Sequence, residues 1–133
     1  MTNEDGNLPK PDLEIVARSY LDAFEARDLE RCLSFFDDDA VVDFQVAVFR
    51  GRKEIAGWHK DRFAADLKIL RLESIAVNAE TVVVDAVATS KRLAAWRIPS
   101  VSGRITMQFE NGKIKHGKLT PRTANLINLI RGG

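Results

Sequence analysis

The apolar periodicity of this chain changes from helical to extended after about residue 36, and this change restricts the fold more than any other feature. Between Leu13 and Phe24 the apolar positions recur every three or four residues, which predicts an amphipathic helix. Asp28 is a suitable N-cap for a second, short helix whose apolar stripe is Leu29, Cys32, Leu33 and Phe36. From Ala40 onward, runs with a period of two predominate. This order predicts an α+β domain with its helices in the N-terminal half.

The period-two part of the sequence divides into one early strand, one helix and a later series of strands. The early strand is predicted over residues 40–49, with Val42 and Phe44 on one face and Asp43 on the other. Residues 37–39, three aspartates, are expected to form a solvated turn before it. A third helix is predicted within residues 52–66. Strands are expected over residues 69–77, 81–90, 101–109 and 114–120, with residues 91–100 as a connection and a hairpin turn at Asn111-Gly112.

Composition excludes several functional classes. The 133 residues fit one domain, and a net charge of +1 gives no basic footprint for nucleic acid. With one cysteine and two histidines, we expect no disulfide, no metal site and no cofactor. The polar N-terminal stretch does not resemble a signal peptide, and no apolar run approaches the length needed to cross a membrane, so the expected location is cytoplasmic with no membrane partner.

Three stretches carry a resemblance to a known family: SYLDAFEARDLERCLSFFDDDAVVDF (residues 19–44), RGRKEIAGWHKDRF (50–63) and GRITMQFENGKIKHGKL (103–119). They resemble the SnoaL-like branch of the nuclear transport factor 2-like superfamily, which includes polyketide cyclases and steroid delta-isomerase-like proteins. The resemblance extends from Leu13 to about Leu119. It implies a cystatin-like cone, in which a curved, mainly antiparallel sheet wraps around three helices and encloses a pocket. It also implies a small hydrophobic ligand and a homodimer formed through the outer sheet face.

The resemblance also suggests domain boundaries. We expect a flexible tail over residues 1–10, the SnoaL-like cone domain over residues 11–122, and a C-terminal segment over residues 123–133 that closes the wide end of the cone. The closing role follows from Leu126, Ile127, Leu129 and Ile130, because each such side chain gains about 1.5–3 kcal/mol on full burial.

The catalytic acids of the family are not reproduced in this sequence. Tyr20 matches the tyrosine that donates to the substrate oxyanion in the steroid isomerases, and His59 falls where those enzymes carry a second tyrosine. Their general-base aspartate corresponds to Phe44, and their second oxyanion donor falls near Ile105. The aspartate that follows the last strand in polyketide cyclases has no counterpart in residues 120–122, Thr-Pro-Arg. The resemblance therefore does not carry over either known mechanism.

A different polar cluster is predicted from the strand over residues 81–90. Its two faces are both largely apolar, so periodicity alone does not choose between them. The family match suggests that Val83, Asp85, Val87 and Thr89 face inward, which would bring Asp85 to His59 and Tyr20. In that arrangement Asp85 orients the imidazole, His59 moves a proton and Tyr20 stabilises an oxyanion. The opposite face, Val84, Ala86 and Ala88, would then form the apolar dimer contact.

Three functions remain open at this point. The first is a cofactor-free isomerase, cyclase or dehydratase that uses Tyr20, His59 and Asp85 in a pocket walled by Phe44, Trp58, Phe63, Val87, Trp96 and Ile105. The second is a non-catalytic ligand-binding domain with the same apolar pocket, in which Tyr20 and His59 are ordinary core or rim residues. The third is a dimerisation module whose pocket is filled by side chains.

Overall fold

Four helices are present in the computed structural model, which describes residues 12–44 and 47–121. Helix α1 (Leu13–Glu25) begins at Asp12, whose carboxylate accepts hydrogen bonds from the backbone N–H groups of residues 14 and 15. Helix α2 (Leu29–Ser34) is capped in the same way by Asp28, as predicted. Helix α3 (Gly51–Ala64) follows the first hairpin, and α4 (Lys91–Ala95) is a single short turn of helix. No helix in the described ranges is long and apolar enough to span a membrane.

Six strands form one curved sheet in the order β2-β1-β6-β5-β4-β3. The strands are β1 (Phe36–Asp43), β2 (Val48–Arg50), β3 (Lys68–Asn78), β4 (Thr81–Thr89), β5 (Val101–Glu110) and β6 (Lys113–Pro121). Strands β1 and β6 pair in parallel, whereas the other neighbours in the sheet are antiparallel. The α+β class and the mainly antiparallel sheet predicted from the sequence are confirmed.

The predicted hairpin between the last two strands is confirmed at the level of the backbone. Asn111 and Gly112 have φ angles of 53° and 80°, the left-handed conformations that a tight turn of this kind requires. The helix predicted after the first strand is also present, as α3.

Two local predictions are wrong. Residues 37–39 belong to β1 rather than to a turn, and Lys115 of the neighbouring β6 pairs with Asp37 and Asp39 along that strand. The strand expected over residues 40–49 is divided, because β1 ends at Asp43 and the chain returns as β2, antiparallel to it. The predicted connection over residues 91–100 is present between β4 and β5, and it contains the short helix α4, whose N-cap is Ser90.

The core lies between helices α1 and α3 and the concave face of the sheet. Val82 and Val84 of β4 are fully buried in this core, and Ala86 on the same face is 7% exposed. The inward face of β4 is therefore the one predicted to face outward. Since Val84 and Ala86 lie inside the protein, they cannot form the apolar patch on which the predicted dimer was based, and the homodimer stays a prediction without that support.

The predicted tail over residues 1–10 and the predicted closing segment over residues 123–133 lie outside the described residues.

Candidate functional site

A cavity of about 310 Å³ opens between helices α1 and α3 and the concave face of the sheet. Helix α1 contributes Tyr20, Leu21 and Phe24 to its wall, and α3 contributes Trp58 and Arg62. The sheet contributes residues from β1, β3, β4, β5 and β6, which are mostly aliphatic. This volume is at the lower end of the range for small-molecule pockets, and the wall is predominantly apolar, as such pockets usually are.

Three of the six predicted wall residues line this cavity: Phe44, Trp58 and Ile105. The other three do not. Phe63 packs behind the wall, with its ring centroid 5.2 Å from that of Phe24. Val87 is buried on the opposite face of β4 from the cavity-lining Ala86 and Ala88, and Trp96, which caps the C-terminal end of α4, is 64% exposed. The errors at Val87 and Trp96 arise from the inverted face of β4 and the unpredicted helix α4.

Two of the three predicted catalytic residues form a close pair. The Tyr20 hydroxyl lies 2.7 Å from Nε2 of His59, and Nδ1 of His59 lies 2.8 Å from the backbone carbonyl oxygen of Ile55. His59 is fully buried and Tyr20 is 5% exposed. The imidazole ring is surrounded by aromatic side chains, with centroids at 4.9–6.1 Å: Tyr20, Phe24, Phe36, Trp58 and Phe63.

These contacts determine where the protons are. The Ile55 carbonyl can only accept, so Nδ1 of His59 carries a hydrogen and donates it. Burial lowers the pKa of His59 from its ordinary 6.5, so the ring is neutral at pH 7 and Nε2 is an acceptor. The Tyr20 hydroxyl therefore donates to Nε2, and burial raises its own pKa well above 10.0. Because the Tyr20 hydroxyl donates its hydrogen to His59, it has no hydrogen left to donate to an oxyanion.

Asp85 does not join this pair. Its carboxylate accepts hydrogen bonds from Nε of Arg104 at 2.8 Å and from Nη2 of Arg104 at 3.0 Å, and the Ser74 hydroxyl lies 3.4 Å away. Asp85 and Arg104 are directly opposite each other on β4 and β5, on the face that does not line the cavity. The prediction that Asp85 enters the cavity and orients His59 is wrong, because the inward positions of β4 are the alternate ones.

Arg62 is a charged cavity residue that the sequence analysis missed. Its guanidinium carbon lies 5.1 Å from the ring centroid of Phe44 and 5.5 Å from that of Trp58, so the cation sits over two rings of the wall. Its buried Nε, like the indole Nε1 of Trp58, has no hydrogen-bond partner among the described residues. Burial is the main cause that lowers the pKa of Arg62 below its usual value. In the sequence, only the four-residue spacing of Trp58 and Arg62 on one helix indicated that the two side chains are neighbours on the same face.

The family is established by a direct match. Residues 17–117 match the model of the SnoaL-like domain, so the chain belongs to that family. No curated protein matches the sequence at a significant level.

Solved structures agree with this assignment at the level of the fold. A candidate polyketide cyclase from Sinorhizobium meliloti is 21% identical, with a TM-score of 0.69 over 89% of this chain and 100% of that chain. A candidate ketosteroid isomerase from Kribbella flavida is 13% identical, with a TM-score of 0.70 over 81% of this chain and 76% of that chain. A cystatin-fold protein from Novosphingobium aromaticivorans is 16% identical, with a TM-score of 0.70 over 84% and 99% of the two chains.

Proposed function

We propose that this protein is a non-catalytic binding domain for a small, hydrophobic, cyclic molecule, and that the cavity between α1, α3 and the sheet is its binding site. The observation that carries this proposal is the contrast between an open, largely apolar cavity and a polar pair, Tyr20 and His59, whose hydrogen bonds are directed at each other and at Ile55. Burial of an apolar ligand in such a cavity is favourable by about 25 cal/mol per Å² of apolar surface that is removed from water.

The positions of the family's acid–base residues support binding rather than chemistry. Phe44 and Ile105 replace the acids of the steroid isomerases and contribute apolar wall instead. His59 is fully buried and is not among the residues that line the cavity, so its Nε2 has access to Tyr20 and not to a ligand. Asp85 is paired with Arg104 on the other face of the sheet.

Filling the cavity should weaken ligand binding. Ala88 lines the cavity, so Ala88→Phe places a ring in the space that a ligand would use. We expect this variant to lose roughly tenfold or more in affinity for the neutral fluorophore N-phenyl-1-naphthylamine, measured by fluorescence titration. The control is Val83→Phe, which adds the same ring on the opposite face of β4 and should leave the affinity within roughly twofold. Equal affinity in both variants, at unchanged melting temperatures, would contradict the proposed site.

A second candidate function is a cofactor-free acid–base enzyme, and the 2.7 Å contact between Tyr20 and His59 is the observation that favours it. In this case Tyr20 would accept a proton from the substrate while passing its own to His59. His59→Gln conserves much of the side-chain volume but removes the proton acceptor. Turnover of any cyclic ketone or polyketide-like substrate should then fall roughly 100-fold or more, with ligand affinity within a few-fold. A wild-type protein that binds such compounds without converting them excludes this candidate.

A further inference from the structure

Unlike Arg27 and Arg104, Arg62 forms no salt bridge with a residue in the described ranges. Arg27 pairs with Asp66 at 2.6 Å, and Arg104 pairs with Asp85 at 2.8 Å. No carboxylate in the described ranges lies within 4 Å of Arg62. Its side chain is nevertheless half-buried in a wall that is otherwise almost entirely apolar. The charges of Asp61 and Arg92 act on Arg62 in opposite directions and neither residue pairs with it, so this partly desolvated cation would be stabilised by an anionic group of a ligand.

The surroundings of Arg62 hold its guanidinium in a fixed place. The cation lies over the rings of Phe44 and Trp58, and both rings belong to the cavity wall. Stacking on aromatic faces leaves the edges of the planar guanidinium free to donate hydrogen bonds. Those N–H groups match the two oxygens of a carboxylate, and they do so without reorganising a flexible side chain.

A second positively charged residue of the cavity wall also favours a negatively charged ligand, although more weakly. Lys118 of β6 also lines the cavity, whereas no aspartate or glutamate in the described ranges does. Because Lys118 is exposed, solvent screens its charge, and Arg62 is the positive group that the apolar wall partly desolvates and that favours a negatively charged ligand.

We propose, resting on the proposed binding function, that the ligand is an apolar acid: a one- or two-ring hydrophobic body with a carboxylate that binds to Arg62. The body occupies the apolar part of the cavity, and the carboxylate oxygens accept hydrogen bonds from the guanidinium. The Nη groups of Arg62 are the donors in this arrangement, because its Nε is buried and has no partner among the described residues.

The test uses a matched pair of ligands of almost equal shape, 2-naphthoate and 2-naphthalenemethanol, with isothermal titration calorimetry at pH 7.5. We expect the wild-type protein to bind the acid at least roughly tenfold more tightly than the alcohol. Arg62→Gln should weaken binding of the acid by roughly tenfold or more and change that of the alcohol by less than about threefold. Lys60→Gln, an exposed residue on the same helix, removes the same charge and should change neither affinity.

The possible outcomes separate this inference from the function on which it rests. If the wild-type protein binds the alcohol as tightly as the acid, the binding function stands and the role of Arg62 is overturned, whether or not Arg62→Gln folds. If Lys60→Gln weakens binding of the acid as much as Arg62→Gln does, the effect arises from net charge, and the proposed role of Arg62 is again overturned. If neither ligand nor N-phenyl-1-naphthylamine binds, the proposed function fails and this inference fails with it.

Discussion

We expect His59→Ala to lower the free energy of unfolding by about 3–5 kcal/mol, as truncations of large buried rings do. His59 is fully buried, and its ring is enclosed by five aromatic side chains, so its removal leaves a cavity that rigid neighbours cannot fill. The change also leaves the Tyr20 hydroxyl and the Ile55 carbonyl without their partner. Urea denaturation followed by circular dichroism measures the loss.

Two variants serve as controls for this result. His116→Ala removes the same side chain from a half-buried position on β6 and should cost less than about 1 kcal/mol. His59→Gln preserves an acceptor for Tyr20 and a donor for Ile55, so this variant should retain much of the stability that the His59→Ala variant loses. A loss below about 1 kcal/mol for His59→Ala would mean that the aromatic cluster is not a rigid part of the core.

Stability should fall as the pH is lowered from 7 to 5, and His59 is the cause. Its pKa in the folded protein is lowered from the ordinary 6.5, because burial disfavours the charged ring. In the unfolded chain the ring takes up a proton near pH 6.5. The contribution of the neutral His59 ring to the free energy of unfolding is therefore fully present above about pH 6.5. It is lost below that pH, at up to about 1.4 kcal/mol per pH unit, until the pKa of His59 in the folded protein is reached.

The non-titrating variant His59→Gln isolates this effect. Its unfolding free energy, measured by urea denaturation at half-unit intervals of pH, should vary less between pH 7 and pH 5 than that of the wild-type protein. The carboxyls of Asp39 and Asp66 do not contribute in this window. Hydrogen bonds from Lys115 and Arg27, respectively, lower their pKa values from 3.8, so their contributions are lost below about pH 4. Parallel pH profiles for wild type and His59→Gln would contradict the assignment.

The contact between Tyr20 and His59 could be anticipated from the sequence because it depends on helices. Both residues lie on apolar stripes, and the period of 3.6 residues fixes one buried face for each helix. The resemblance to SnoaL-like proteins then placed the two faces opposite each other, and the family model that matches residues 17–117 confirms the resemblance. Helical periodicity and the resemblance together were sufficient for this half of the predicted cluster.

The position of Asp85 could not be predicted in the same way, since β4 is apolar on both faces. Val82 and Val84 are fully buried on the inner face, yet Val87 on the other face is only 4% exposed. A period-two pattern carries no information about direction when both faces are buried. The pairing of β4 with β5 decides it, by placing Arg104 opposite Asp85. Nothing in the local sequence of either strand specifies that register.

The missed role of Arg62 has a different origin. Charged residues on a helix are usually solvated, and α3 carries several of them, so a single arginine does not stand out. What distinguishes Arg62 is its place over the rings of Phe44 and Trp58, and Phe44 comes from another part of the chain. A contact of this kind is a property of the folded structure.

The parallel pairing of β1 with β6 has a consequence for how the chain folds. It joins positions that are far apart in sequence, such as Asp39 and Lys115, which are 76 residues apart. Closing so long a loop is entropically costly, and such non-local pairings slow folding. During synthesis at about 5–20 residues per second, β1 therefore waits several seconds for its central partner strand. Over that interval one edge of β1 is open to other chains, and chaperones that shield such edges should raise the yield of native protein.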